Sequence, residues 1–169
     1  LDGAAPAPPI NISSTEKERL DYVNLLEPVY QGVFKTVFSS MELPIDIESE
    51  TKTIIGEDGN EIKIYISKPK DMSEDIPAII HLHGGGMAIL SANDTNYIYW
   101  RNKLASKGLV VLGVEFRNIG GAQGNHPFPA GLNDCISALK WVYENKKELG
   151  ISKIILSGES GGGNLSIAT

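Results

Sequence analysis

Apolar residues in the first quarter of the chain recur at helical spacing: Leu20, Val23 and Leu26, then Tyr30, Val33, Phe34 and Val37. Thr15-Glu16-Lys17-Glu18 ahead of them has the form of a capping box, in which a threonine and a glutamate three residues on satisfy each other's backbone N–H groups. Pro28 interrupts the pattern. A proline ring removes a donor and crowds the preceding turn but fits a first helical position, so the pattern predicts one helix to about residue 27 and a second over about 28–39. The period then changes to two. Residues 51–56 and 62–66 read as strands, and Glu57-Asp58-Gly59-Asn60 between them supplies the turn chemistry of a hairpin.

From Ile76 onward the order is strand, helix, strand, helix, strand, over residues 78–82, about 96–107, 109–115, 131–149 and 153–156. That alternation implies an α/β fold with a mostly parallel sheet, and nearly all-apolar strands imply helices covering both faces. Leu132, Cys135, Ile136, Leu139, Val142 and Tyr143 share one face of the helix at 131–149, and Gly150 is placed to end it. The chain divides into an N-terminal tail with cap helices (1–45) and an α/β core (46–169).

Composition narrows the function classes. The 169 residues are 41% hydrophobic with a net charge of -6, and the basic residues are scattered, which leaves no electrostatic footprint for nucleic acid. The longest apolar runs, near 77–82 and 109–114, fall far short of the roughly 20 residues of a membrane span. A single cysteine, Cys135, makes no internal disulfide and reads as a buried thiol. It leaves the compartment open, with a slight lean to the cytoplasm. Residues 1–9 are Ala/Pro-rich and begin with Leu1, as a processed or added terminus would.

The chemistry concentrates in two glycine-rich stretches. Gly158-Glu159-Ser160-Gly161-Gly162 follows the apolar run Ile154-Ile155-Leu156 and precedes a helical segment. A serine hydroxyl is a weak nucleophile, so acyl transfer needs it presented at an exposed point with a base and oxyanion donors at hand, and a strand-turn-helix elbow fenced by glycines presents it. His81-Leu82-His83-Gly84-Gly85-Gly86 closes another apolar strand, and three glycines let backbone N–H groups turn toward one point, as an oxyanion hole requires. Between His83 and Ser160 there is room for two strand-helix units, enough to bring both motifs to one end of one sheet. Dinucleotide binding fails on spacing: Ser160 stands at the middle glycine position between Gly158 and Gly163, and Ile89 stands where the loop at Gly84 would need its third glycine.

On these two motifs and on His126-Pro127-Phe128-Pro129-Ala130-Gly131-Leu132-Asn133-Asp134, the sequence resembles the hormone-sensitive-lipase-like α/β-hydrolases, also called bacterial esterase family IV. The resemblance implies that Ser160 is the nucleophile and that the backbone N–H groups of Gly85, Gly86 and Gly161 form the oxyanion hole. It further implies supporting roles for His83, Gly84 and Glu159. The implied reaction is hydrolysis of small carboxylic esters with short or medium acyl chains, without metal or organic cofactor. The family's usual Asp and Ala beside the serine are here Glu159 and Gly161. Its Tyr-Arg-Leu-Ala-Pro-Glu stretch is replaced by Phe116-Arg117-Asn118-Ile119-Gly120-Gly121, a change that bears on the substrate pocket.

His81, His83 and His126 all precede Ser160, whereas in this fold the triad runs serine, acid, histidine along the chain. The three histidines are therefore expected to be structural, His83 anchoring the glycine loop by hydrogen bonds and Glu159 supporting the elbow. The expectation is that this chain holds the N-terminal half of the fold, and that a second chain or fragment supplies the acid and the histidine. A non-catalytic ligand-binding receptor on the same fold is the alternative, and a histidine in the remaining half distinguishes the two.

Overall fold

β1 (Ile47–Ile55) and β2 (Glu61–Pro69) form the expected antiparallel hairpin, in register from Ile47 opposite Pro69 to Ile55 opposite Glu61. The computed structural model describes residues 10–72 and 74–169, so the Ala/Pro-rich stretch 1–9 lies outside the described residues. β3 (Ile76–Leu82) pairs parallel with both β4 (Val110–Glu115) and β5 (Ile151–Gly158), and the sheet order is β1-β2-β4-β3-β5. β2 is antiparallel to its two neighbours and alone runs against the other four strands, so the sheet is mixed but mostly parallel in direction.

Side-chain alternation divides the sheet into two faces. Ile62, Ile64 and Ile66 of β2, Ala78, Ile80 and Leu82 of β3, and Val110, Leu112 and Val114 of β4 share one face and are all buried. α3 (Ala130–Glu144) and α4 (Gly161–Ala168) cover it with Cys135, Ala138, Val142 and Leu165. Full burial of such a side chain stabilises by roughly 1.5–3 kcal/mol, so this layer is the dominant core. The opposite face carries α2 (Thr95–Ala105), whose Trp100 ring packs at a tilt against His81 with centroids 4.1 Å apart and whose Arg101 lies over the Tyr65 ring at 5.4 Å. Gly113 makes room for that arginine: a Cβ there would lie 2.9 Å from its Nη1.

Two expectations are corrected. The N-terminal segment is one helix, α1 (Glu16–Phe38), with the Thr15 capping box formed and Pro28 inside it. An interior proline costs about 3 kcal/mol in an isolated helix. Tertiary contacts on both sides of Pro28 offset that cost: Asn24 and Glu27 bond the loop at 121–122, and Gln31 donates to Asp94 at 3.0 Å. α3, expected to reach residue 149, ends at Glu144 with Asn145 as its cap. The polar run 145–148 offers the sheet nothing to bury and turns instead, until Gly150 (φ 67) redirects the chain into β5. Among the described residues, no helix is long and apolar enough to cross a membrane.

Candidate active site

β3 and β5 lie side by side with Leu82 opposite Gly158, so the segments leaving them emerge together at the carboxyl end of the sheet, where ligands of open α/β sheets bind. From β5 the chain makes a two-residue turn into α4, and Ser160 at its apex has φ 50 and ψ -119. A non-glycine residue in the left-handed region costs on the order of 1 kcal/mol or more and persists only where its surroundings over-determine it. Here the surroundings are backbone. A Cβ at Gly158 would lie 2.2 Å from the Gly162 carbonyl oxygen, and one at Gly162 would lie 2.0 Å from that of Leu82. Strand and helix can meet at this angle only with glycine at both positions.

The loop leaving β3 is equally constrained. Gly85 and Gly86 have φ of 100 and 64, and they are followed by two non-glycine residues with positive φ, Met87 (60) and Leu90 (75). The Gly85 carbonyl accepts from Ala88 N–H at 3.0 Å and from Ile89 N–H at 3.2 Å, closing a tight turn. Met87 O accepts from Ile119 N–H at 2.9 Å, and the buried Asn118 amide donates to Leu90 O at 2.9 Å, which hangs the loop on the segment leaving β4. Both sequence motifs come together here: a Cβ on Gly161 would lie 2.9 Å from Met87 N and 3.0 Å from Gly86 Cα. The first turn of α4, with its outward-facing N–H groups and positive dipole end, thus abuts the glycine loop.

Supporting side chains lie beneath. Tyr97 OH donates to Glu159 Oε1 at 2.5 Å and accepts from Gly84 N–H at 3.0 Å. Burial, then the bond to Glu159, raises the Tyr97 phenol well above its ordinary range. His83 is fully buried, bonds the Gly84 carbonyl through Nδ1 at 2.8 Å, and stacks on Phe116 at 4.1 Å. Burial pushes both His83 and His81 down to about 4, so both are neutral near pH 7. His126 lies on the loop before α3, where its N–H donates to Asn118 O at 3.0 Å. Asp134, the acid of the His-Pro-Phe-Pro stretch, is buried and accepts from the Arg117 backbone and guanidinium and from Asn60. It braces the hairpin turn against the end of β4. Among the described residues, no group of three or more His, Cys, Asp or Glu side chains is placed to hold a metal ion.

A cavity of about 420 Å3 opens over Ser160 and Gly84 to Gly86, and the underside of α1 contributes Val23, Leu26, Tyr30 and Phe34 to its wall. Val33 and Val37, which share the helical spacing, point away into a separate exposed groove. Sequence reading missed Tyr97, Asn118 and Glu27. Tyr97 and Asn118 carry no local signal, because their partners are distant in the chain. Glu27 did carry one, being an acidic residue on the stripe formed by Val23, Tyr30 and Phe34.

Residues 63–169 match the BD-FAE family model. The fold aligns with brefeldin A esterase, described as a bacterial homologue of human hormone-sensitive lipase, at a TM-score of 0.80 and 40% identity, covering 99% of this chain and 46% of that one. Esterase Est22 aligns at a TM-score of 0.81 and 36% identity, covering 92% and 49%. Carboxylesterase NlhH of Mycobacterium tuberculosis is 34% identical over 128 residues, 74% of this chain and 38% of its own length. The chain thus spans about half the length, or less, of the relatives it matches. With its α/β-hydrolase architecture and these likenesses, the chain belongs to the BD-FAE family, among the hormone-sensitive-lipase-like esterases.

Proposed function

We propose that the complete protein is a serine carboxylesterase acting on esters with short or medium acyl chains, with Ser160 as nucleophile. The observation that carries this reading is the strained Ser160 backbone, held at the mouth of a cavity directly against a glycine loop. Ser160 Oγ attacks the ester carbonyl while a histidine from beyond this segment takes its proton, and the N–H groups of Gly85, Gly86 and Gly161 receive the developing oxyanion. The alcohol leaves with that proton. Water then attacks the acyl-enzyme as the histidine takes its proton, and the bond to Ser160 Oγ breaks, returning that proton to the serine and releasing the carboxylic acid. His83, Gly84 and Glu159 keep the two loops in register. The relatives named as carboxylesterase and esterase support the reaction class.

The acid and the histidine are supplied by the polypeptide that follows in the fold or by a second chain. β5 pairs only with β3 among the described residues, and a groove beside it, lined by Leu139, Tyr143, Ile154 and Leu156, is largely apolar. Residues 1–169 purified alone are expected to give no ester turnover, and adding the remaining half is expected to restore it. The assignment of Ser160 is tested by a fluorophosphonate probe followed by peptide mapping of the complete protein. Label on Ser160 with ester turnover supports the reading; ligand binding without label or turnover points to the receptor alternative.

A further inference from the structure

Glu27 is a carboxylic acid in an unexpected place. It lies in the middle of α1 immediately before Pro28 and is only 5% exposed. Its two oxygens accept from two different loops: Oε1 from Leu90 N–H at 2.7 Å and Oε2 from Ala122 N–H at 2.6 Å. Asn24, one turn earlier, accepts from Gly121 N–H at 3.1 Å. Gly121 (φ 66) leaves the space that the carboxyl group needs, since a Cβ there would lie 2.7 Å from Oε2.

Leu90 directly follows the turn that begins at Gly85, and at φ 75 it holds a conformation that L-residues adopt only when surrounding bonds enforce it. Two bonds do so here: Glu27 accepts from its N–H and Asn118 donates to its carbonyl. Without Glu27, one of the two supports of this strained residue is gone, and the N–H groups of Leu90, which is buried, and Ala122 lose their acceptor. The same helix face carries Val23, Leu26, Tyr30 and Phe34 into the cavity wall.

We propose that Glu27 is a positioning residue for the oxyanion hole, clamping the end of the glycine loop to the cap helix so that the N–H groups of Gly85 and Gly86 stay aimed at the reacting carbonyl. The inference rests on the esterase reading above. Glu27 touches neither substrate nor nucleophile; it acts through Leu90. Its loss therefore lowers turnover rather than substrate affinity, and it couples filling of the cavity to the geometry of the loop through one rigid helix.

The experiment uses the complete protein and the variants Glu27→Ala, Glu27→Gln and Asn24→Ala. Glu27→Ala is expected to lower kcat by about 10- to 100-fold, the scale of a misaimed donor, with KM changed less than about threefold. Glu27→Gln keeps one acceptor oxygen and is expected to fall between Ala and the parent. Asn24→Ala, which touches only the loop at 121, is expected to stay within about twofold. Amide exchange over residues 84–92 is expected to accelerate in Glu27→Ala, and labelling of Ser160 by a fluorophosphonate to slow in parallel. A folded Glu27→Ala variant with kcat within twofold of the parent, or with unchanged exchange over 84–92, overturns the proposal. So does a loss of activity that follows the unfolded fraction seen by circular dichroism. If Glu27→Ala does not fold, Glu27→Gln is judged by the same criteria, and global unfolding of both variants assigns Glu27 to stability alone. Failure of the esterase reading is separable, since it appears as a parent protein that is not labelled at Ser160.

Discussion

The Tyr97 hydroxyl donates to Glu159 Oε1 at 2.5 Å while accepting from Gly84 N–H, so a single side chain of α2 holds the serine elbow and the glycine loop together. Tyr97→Phe leaves both partners without their bond at a partly buried site, at a cost of about 1–3 kcal/mol. We expect a lower urea midpoint and a kcat reduced by about tenfold, with KM little changed. Unchanged turnover at the lower stability would show that the link braces the fold without aligning the site.

Gly161 and Gly162 respond differently to the same methyl group. A Cβ on Gly162 meets backbone at 2.0 Å, so Gly162→Ala is expected to destabilise by more than about 4 kcal/mol and to accumulate poorly as folded protein. Gly161→Ala restores the family's usual residue, yet its Cβ would press Met87 N at 2.9 Å and Gly86 Cα at 3.0 Å. It is expected to fold and to lose turnover by about tenfold as the glycine loop shifts. Thermal melts and steady-state kinetics on both variants separate the two outcomes, and equal behaviour would contradict the difference in geometry.

α1 should set acyl length through its cavity-facing side only. Leu26→Ala enlarges the cavity wall, whereas Val33→Ala opens only the outer groove. With p-nitrophenyl esters from acetate to octanoate, Leu26→Ala is expected to move the optimum of kcat/KM toward longer chains. Val33→Ala should leave the profile in place. A shift of equal size in both would mean that the helix acts on the core and not on the pocket.

Stability should fall in mild acid. His81 and His83 titrate near 6.5 when unfolded and are pushed down to about 4 by burial, so the unfolded state binds more protons between those values. Their contribution is fully present above pH 6.5 and is lost as pH falls through 6.5 toward 4. At about 1.4 kcal/mol per pH unit, each histidine contributes on the order of 3 kcal/mol. His83→Asn, which retains a donor for the Gly84 carbonyl, removes one titration. The stability difference between parent and variant should therefore shrink from pH 7 to pH 4.5 in denaturant titrations, and a constant difference would rule out the histidine linkage.

Much of this architecture was legible in the chain itself, because it rests on local rules. Period-two alternation at 62–66 and the turn at 57–60 predict the hairpin, and the apolar runs ending at Leu82 and Leu156 predict the strands from which the site grows. The glycines around Ser160 announced a turn that no side chain could enter, and the close backbone approaches at Gly158 and Gly162 are the physical reason. Where local rules compete with distant contacts, the sequence could not decide. Pro28 signals a helix start by its missing N–H, yet α1 runs through it because Glu27 and Gln31 on either side are bonded to loops some 60 to 95 residues away. Tyr97, Asn118 and Glu27 join the site for the same reason: each satisfies a backbone group or carboxylate that the sheet topology, and not sequence proximity, brings within 3.0 Å. Motif and periodicity determine which chemistry the chain can present, while the pairing of β3 with β5 and the docking of α1 decide which side chains hold it in place.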